Sequence, residues 1–163
     1  MQGRGPTCFI ESGDQIKPYE GKLEIRSINR QGRVIHVWKT PNVITFDARV
    51  IMSHLLVGDL VNTYKIGFIA VGLGNTAPQR SDTALISEIH QQAIEPFDFP
   101  DGDTGQVEIT ATLDFSSPAN NNTLREAGLM SIDGVTMFAR QVHGDIFKDS
   151  GIQLQYIWRI IFT

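Results

Sequence analysis

The clearest pattern in the chain runs from Gln106 to Phe115. Val107, Ile109, Ala111, Leu113 and Phe115 alternate with Glu108, Thr110, Thr112 and Asp114. A period of two over ten residues predicts a half-buried antiparallel strand. The same reading places strands at Lys22 to Asn29 and Arg33 to Lys39, joined by Arg30-Gln31-Gly32, a short glycine-bearing hairpin connection. Further strands are predicted at Lys65 to Gly72, Leu124 to Ile132, Val135 to His143 and Ile152 to Phe162, with Asp133-Gly134 as a type I′ turn signal. Only Asp47 to Val57 has helical spacing, with Thr45 able to cap its start and Gly58 its end. Asp82 is positioned to cap one short turn through Leu85. About eight strands and one helix predict an all-β, antiparallel β-sandwich of jelly-roll type.

The last strand carries Ile152, Leu154, Tyr156, Trp158, Ile160 and Phe162 on one face and Gln153, Gln155, Ile157, Arg159 and Ile161 on the other. Its end is therefore apolar on both sides. Such a strand is central in a sheet or has its outer face covered by a partner. The partner reading predicts a homotrimer with Ile157 and Ile161 as contacts; the alternative is that the helix covers this face within one subunit.

Residues 1–20 read as an extended arm, because Gly3, Gly5, Pro6, Gly13 and Pro18 interrupt any regular element. Residues 21–163 form the sandwich domain. The arm's apolar cluster is Cys8, Phe9 and Ile10, and Phe9 and Ile10 are the expected anchors on a neighbouring subunit, where the arm would add a strand to an exposed sheet edge. The bland alternative is a frayed terminus.

At 163 residues with 41% hydrophobic and 20% charged positions, the chain has a core and is not a disordered segment. The balance of 14 basic to 18 acidic residues, net −4, provides no basic footprint for nucleic acid. The single cysteine excludes an internal disulfide, no apolar run is long enough to span a membrane, and the N-terminus lacks a signal-peptide core. The expected location is inside a cell or inside a particle assembled there.

Candidate chemistry is sparse. Gly72-x-Gly74-x-x-Ala77 matches a relaxed dinucleotide fingerprint, but Pro78 and a polar loop follow where a helix would receive the phosphates, so a strand-to-loop turn is the preferred reading. Asp98, Asp101, Asp103 and Glu108 surround Gly102 and Gly105, an oxygen-rich loop of the kind that can hold calcium; the spacing is not that of an EF-hand, so turn chemistry is the preferred reading and calcium the alternative. His36, His54, His90 and His143 have no ligand spacing. Asp114 and Glu126 are read as surface charge in preference to a glycosidase pair, and Trp38 and Trp158 as core in preference to sugar platforms. Asn121-Asn122-Thr123 is a formal glycosylation sequon without consequence in the absence of secretion. The expectation is no catalytic, metal or cofactor site, and therefore a structural or binding protein.

The order of segments resembles a β-rich module of tailed-bacteriophage structural proteins. It comprises Pro41-Asn-Val-Ile-Thr45, Leu55-Leu-Val-Gly58, Ile69-Ala-Val-Gly-Leu-Gly-Asn-Thr-Ala-Pro78, Ser81-Asp-Thr-Ala-Leu85 with Glu88, Leu124-Arg-Glu-Ala-Gly-Leu129, Met137-Phe-Ala-Arg140, Ile146-Phe-Lys148 and Leu154-Gln-Tyr-Ile-Trp-Arg-Ile-Ile-Phe162. The resemblance spans roughly residues 21–163 and implies a non-enzymatic virion part. A lone module with a short arm fits a capsid cement (decoration) protein bound between major capsid protein subunits. A tail, neck or fibre component is the alternative, and a carbohydrate- or receptor-binding jelly roll a further one, with Phe97 and Phe99 as the aromatics to watch.

Overall fold

The computed structural model describes residues 19–58, 64–100 and 105–162. The strands are β1 (Tyr19–Asn29), β2 (Val34–Pro41), β3 (Val43–Ile44), β4 (Ile66–Gly72), β5 (Glu88–Ala93), β6 (Gln106–Leu113), β7 (Asn122–Ser131), β8 (Met137–Lys148) and β9 (Ile152–Phe162), with one helix, α1 (Phe46–Leu56). They form a four-stranded sheet in the order β2-β1-β9-β6 and a five-stranded sheet in the order β3-β8-β7-β4-β5, with every pairing antiparallel. The protein is an all-β sandwich. The strand order does not carry the jelly-roll assignment: β7 and β8 form a direct hairpin, and β4 and β5 together make one edge of the larger sheet.

The inner face of the first sheet is built as the alternation requires. Leu23 and Ile25 of β1, Ile109, Ala111 and Leu113 of β6, and Leu154, Tyr156, Trp158 and Ile160 of β9 are buried in one cluster. Ile69 and Val71 of β4 and Leu124, Ala127 and Leu129 of β7 meet them from the other sheet. Full burial of an aliphatic side chain contributes about 1.5–3 kcal/mol, so this face dominates the stabilising side of folding.

The helix forms where the pattern placed it. Thr45 caps it, accepting from the Ala48 N–H at 3.4 Å, and Gly58 follows it at φ +73. The Thr45 hydroxyl also donates to the Met137 carbonyl at 2.5 Å, tying the helix start to β8, on which α1 packs. The helix therefore covers the larger sheet and not the outer face of β9.

Three elements differ from the sequence expectation. β5 (EIHQQA) is an additional strand, overlooked because it is a polar, exposed edge. β8 runs on to Lys148 instead of stopping at His143: the β7–β8 register shifts beside Leu124, and Gly144, at φ +83, takes a conformation other residues seldom adopt. The shift breaks the period of two, so the second half reads as a linker. β1 starts at Tyr19, two residues inside the expected arm; the rest of the arm, with Phe9 and Ile10, lies outside the described residues. Among the described residues no helix is long and apolar enough to cross a membrane.

Candidate interaction surfaces

The most constrained polar group in the described chain is Glu126. It sits in β7, where Ala127 and Leu129 face the core, so its own parity points to the outer face of the larger sheet. That face is not solvent. The segment 73–87 folds back across it, and Leu85 packs into a second cluster with Ala70, Met130 and Met137. Glu126 and Arg140 are both fully buried beneath this segment. Glu126 Oε1 accepts from the N–H groups of Gly74 (3.0 Å) and Ser87 (2.8 Å). Its Oε2 accepts from Ile86 N–H (3.1 Å) and from Arg140 Nε (3.1 Å) and Nη2 (2.8 Å). Arg140 also donates to Asp82 Oδ2 (2.8 Å) and the Thr76 carbonyl (3.0 Å). Burial opposes the charge on Glu126, but the Ser87 N–H, the Arg140 guanidinium and the Ile86 and Gly74 N–H groups outweigh it and hold the carboxyl below its ordinary range.

This corrects the reading of Glu126 as surface charge. It also explains the glycine pair after β4: a Cβ on Gly74 would lie 2.5 Å from Glu126 Oε1, and one on Gly72 2.7 Å from it. Gly72-x-Gly74 is a cradle for a side-chain carboxylate. Asp82 closes the turn that precedes it, accepting from Gln79 N–H at 2.8 Å, and does not start the expected turn through Leu85; its second task is to hold Arg140. A signal was present in the sequence: one acid and one base, Glu126 and Arg140, each interrupting an apolar strand. Asp114 is exposed and bonds its own turn through Ser116, so the two carboxylates are not a pair.

The outer face of the smaller sheet carries a charge lattice. Glu24, only 5% exposed, meets Arg26 (2.6 Å), Arg159 (3.2 Å) and Lys39 (3.4 Å), and Arg159 reaches on to Glu108 (2.8 Å). Burial raises the Glu24 pKa, but the bonds from Arg26, Arg159 and Lys39 prevail and lower it. Beside this lattice lies an open depression of about 370 Å³ lined by Lys22, Glu24, Lys39, Thr40, Pro41 and Arg159. Ile157 pairs with Glu24 and Thr110 on this face and is buried within the chain, outside both apolar clusters; Ile161 is half-buried between Glu20 and Gln106.

Among the described residues, three polar atoms between the sheets have no hydrogen-bond partner: Tyr156 Oη, Trp158 Nε1 and His143 Nε2. Trp158 is wholly buried, and Trp38 packs against the same cluster. The His143 ring meets Tyr156 edge-on at 6.0 Å, and its Nδ1 lies 3.0 Å from the Gly144 carbonyl. Burial lowers its pKa to about 4 and raises that of Tyr156. Lys148, also fully buried, donates to Asn120 Oδ1 (2.5 Å) and the Asp149 carbonyl (2.7 Å), and burial lowers its pKa.

His36 and His54 rest on Trp38 and Tyr64, and His90 lies 3.4 Å from Gln92 Oε1. Asp98 and Glu108 join through their backbones, while Asp101 and Asp103 lie outside the described residues. Among the described residues no group of three or more His, Cys, Asp or Glu side chains is placed to hold a metal ion.

Exposed apolar side chains include three groups, besides others such as Ile86, Val135 and Phe147. On α1, Ala48 and Ile51 are buried against the sheet while Phe46, Val50, Leu56 and Val57 at and beside the opposite side are 51%, 50%, 88% and 79% exposed. On β2, Val34, Ile35 and Val37 are exposed. Phe97 and Phe99 are exposed and pack edge-to-face at 5.7 Å. No protein-family model, no curated protein and no solved structure matches this chain.

Proposed function

We propose that the chain is a non-enzymatic structural part of a tailed-phage virion, and specifically a cement protein that docks between major capsid protein subunits. The observation that carries the reading is the outward stripe of α1. A surface helix of a monomeric protein turns charge to solvent; here Phe46, Val50, Leu56 and Val57 face it instead. Docked on a shell, such a stripe gains apolar burial at each of many identical sites, and stabilisation follows by mass action without any chemistry. The clamp of segment 73–87 supports the same reading, because it holds the helix start in place: Phe46 N–H donates to the Arg80 carbonyl at 2.8 Å. The choice of a phage virion rests on the resemblance of the segment order to tailed-phage structural modules.

Copy number in purified particles tests the proposal. Hundreds of copies per particle are expected. A handful or a dozen indicates a neck, tail or fibre component, and absence from the particle overturns the virion reading. A second reading rests on Phe97 and Phe99: an exposed edge-to-face aromatic pair is a platform for a sugar ring in a carbohydrate- or receptor-binding module. Glycan binding lost on Phe97→Ala would favour it.

A further inference from the structure

The smaller sheet has two edges, and they are treated differently. Along β6, Glu95 N–H donates to the Thr110 carbonyl at 2.7 Å and Asp98 bridges to Glu108, so the segment after β5 covers that edge. Along β2, among the described residues, only β1 pairs. Val34, Ile35 and Val37 are 50%, 56% and 42% exposed there.

One bond fixes which main-chain groups face outward. Asn42 N–H donates to the Gly21 carbonyl at 3.1 Å, so the main chain of Asn42 faces β1. Successive residues of an antiparallel strand alternate in this respect. Thr40, Trp38 and His36 therefore bond to β1, while Pro41, Lys39 and Val37 turn their main-chain groups to the open side. Pro41 agrees with this parity, because its missing N–H falls on the open side and costs β1 no bond. The register shifts between Ser27 and Ile28 and leaves Ile35 as an extra residue, which ends the regular ladder. The template is thus the N–H and C=O groups of Val37 and Lys39, with apolar side chains alongside. Such an edge accepts a strand.

Charge decides what fits. The side chains of Val37 and Lys39 lie on the outer face, beside Arg26 and Glu24. Lys39 is 72% exposed, whereas Glu24 is 7% exposed and already held by Arg26 and Arg159. The accessible charge at this end is therefore positive, and from Arg30 to Pro41 the chain has three bases and no acid. A second β2 is a poor occupant. Pairing centred on Lys39 opposes the two lysines, and pairing centred on Trp38 makes them diagonal neighbours. Pairing centred on Val37 sets Lys39 against Ile35, where the ladder is broken. We propose that the open edge of β2 takes an extended segment of another protein, with an apolar side chain at Val37 and an acidic one two residues away at Lys39. Its backbone bonds to Val37 and Lys39 supply affinity, and the lysine selects the acid. The inference does not rest on the virion reading.

The test uses amide NMR spectra of the isotopically labelled full-length chain titrated with the capped peptide Thr-Val-Thr-Glu-Thr-Val-Thr-Glu, and with the same peptide carrying Lys in place of Glu. The expected result is a saturating shift of the Val37 and Lys39 amides with the acidic peptide, several-fold weaker binding of the basic one, and an inverted preference in Lys39→Glu. Val37→Pro, which removes one outward N–H and leaves the bonds to β1, should weaken binding several-fold with an unchanged circular-dichroism spectrum. If that variant does not fold, the charge inversion decides alone. No shift at β2, equal binding of the two peptides, or a self-association through β2 that the acidic peptide does not displace would overturn the proposal. Each outcome leaves the copy-number test untouched.

Discussion

Replacing Glu126 by Gln changes one oxygen into an NH2 group and leaves shape nearly unchanged, so it isolates what the carboxylate contributes. Oε1 accepts two hydrogen bonds, from Gly74 and Ser87; Oε2 accepts three, from Ile86 and twice from Arg140. Whichever way the amide is placed, its NH2 faces at least two N–H donors, and Arg140 loses a buried counter-charge. Two lost bonds to a charged group, at about 1.5–3 kcal/mol each, come to about 3–6 kcal/mol. That agrees with the ~3–5 kcal/mol seen when one partner of a buried pair is removed. For a chain of this size, each kcal/mol moves the melting temperature by roughly 2–4 °C, so E126Q should melt about 6–24 °C lower in a calorimetric or circular-dichroism scan. Arg125→Ala is the control. Its pair with Asp145 has the same 2.8 Å separation, but the side chains are 35% and 69% exposed, and its loss should move the midpoint by no more than ~2 °C. Joint replacement of Glu126 and Arg140 by Met should recover only part of the loss, because the N–H groups of residues 74, 86 and 87 still lack an acceptor. An E126Q midpoint within about 2 °C of the parent would show that the clamp carries no stability.

Two further outcomes follow from the same geometry. Gly74→Ala should destabilise by about 1–3 kcal/mol, because the new methyl group collides with Glu126 Oε1; a chemical denaturation midpoint equal to the parent's would show that the segment 73–87 is not held where described. His143 is kept neutral by burial, with a folded pKa of about 4 against an ordinary value of 6.5. The unfolded chain therefore binds the proton first as pH falls, so the stability linked to this residue is complete above about pH 6.5 and is lost down to about pH 4, by up to about 3 kcal/mol. His143→Leu should flatten the melting temperature between pH 6.5 and 4, leaving the losses from Glu24 and Glu126, which fall lower because both carboxyls are depressed. An unchanged slope in that variant would assign the pH dependence elsewhere.

Local pattern alone determined much of this protein. The alternation in Gln106–Leu113 and Ile152–Phe162, the Thr45 and Gly58 caps and the Asp133-Gly134 turn each depend on residues a few positions apart. Hence most of the strands, the helix and the inner face of the smaller sheet were legible in the sequence. What tertiary structure decided is the fate of polar residues. Glu88–Ala93 becomes a strand only because β4 offers it an edge. Glu126 and Arg140 look like solvent-facing charges until the segment 73–87, joined to them across 40 or more positions at Ile86 and Thr76, covers them. Burial of a charge is decided by what lands on it, and that depends on contacts far apart in the chain, which no local period encodes.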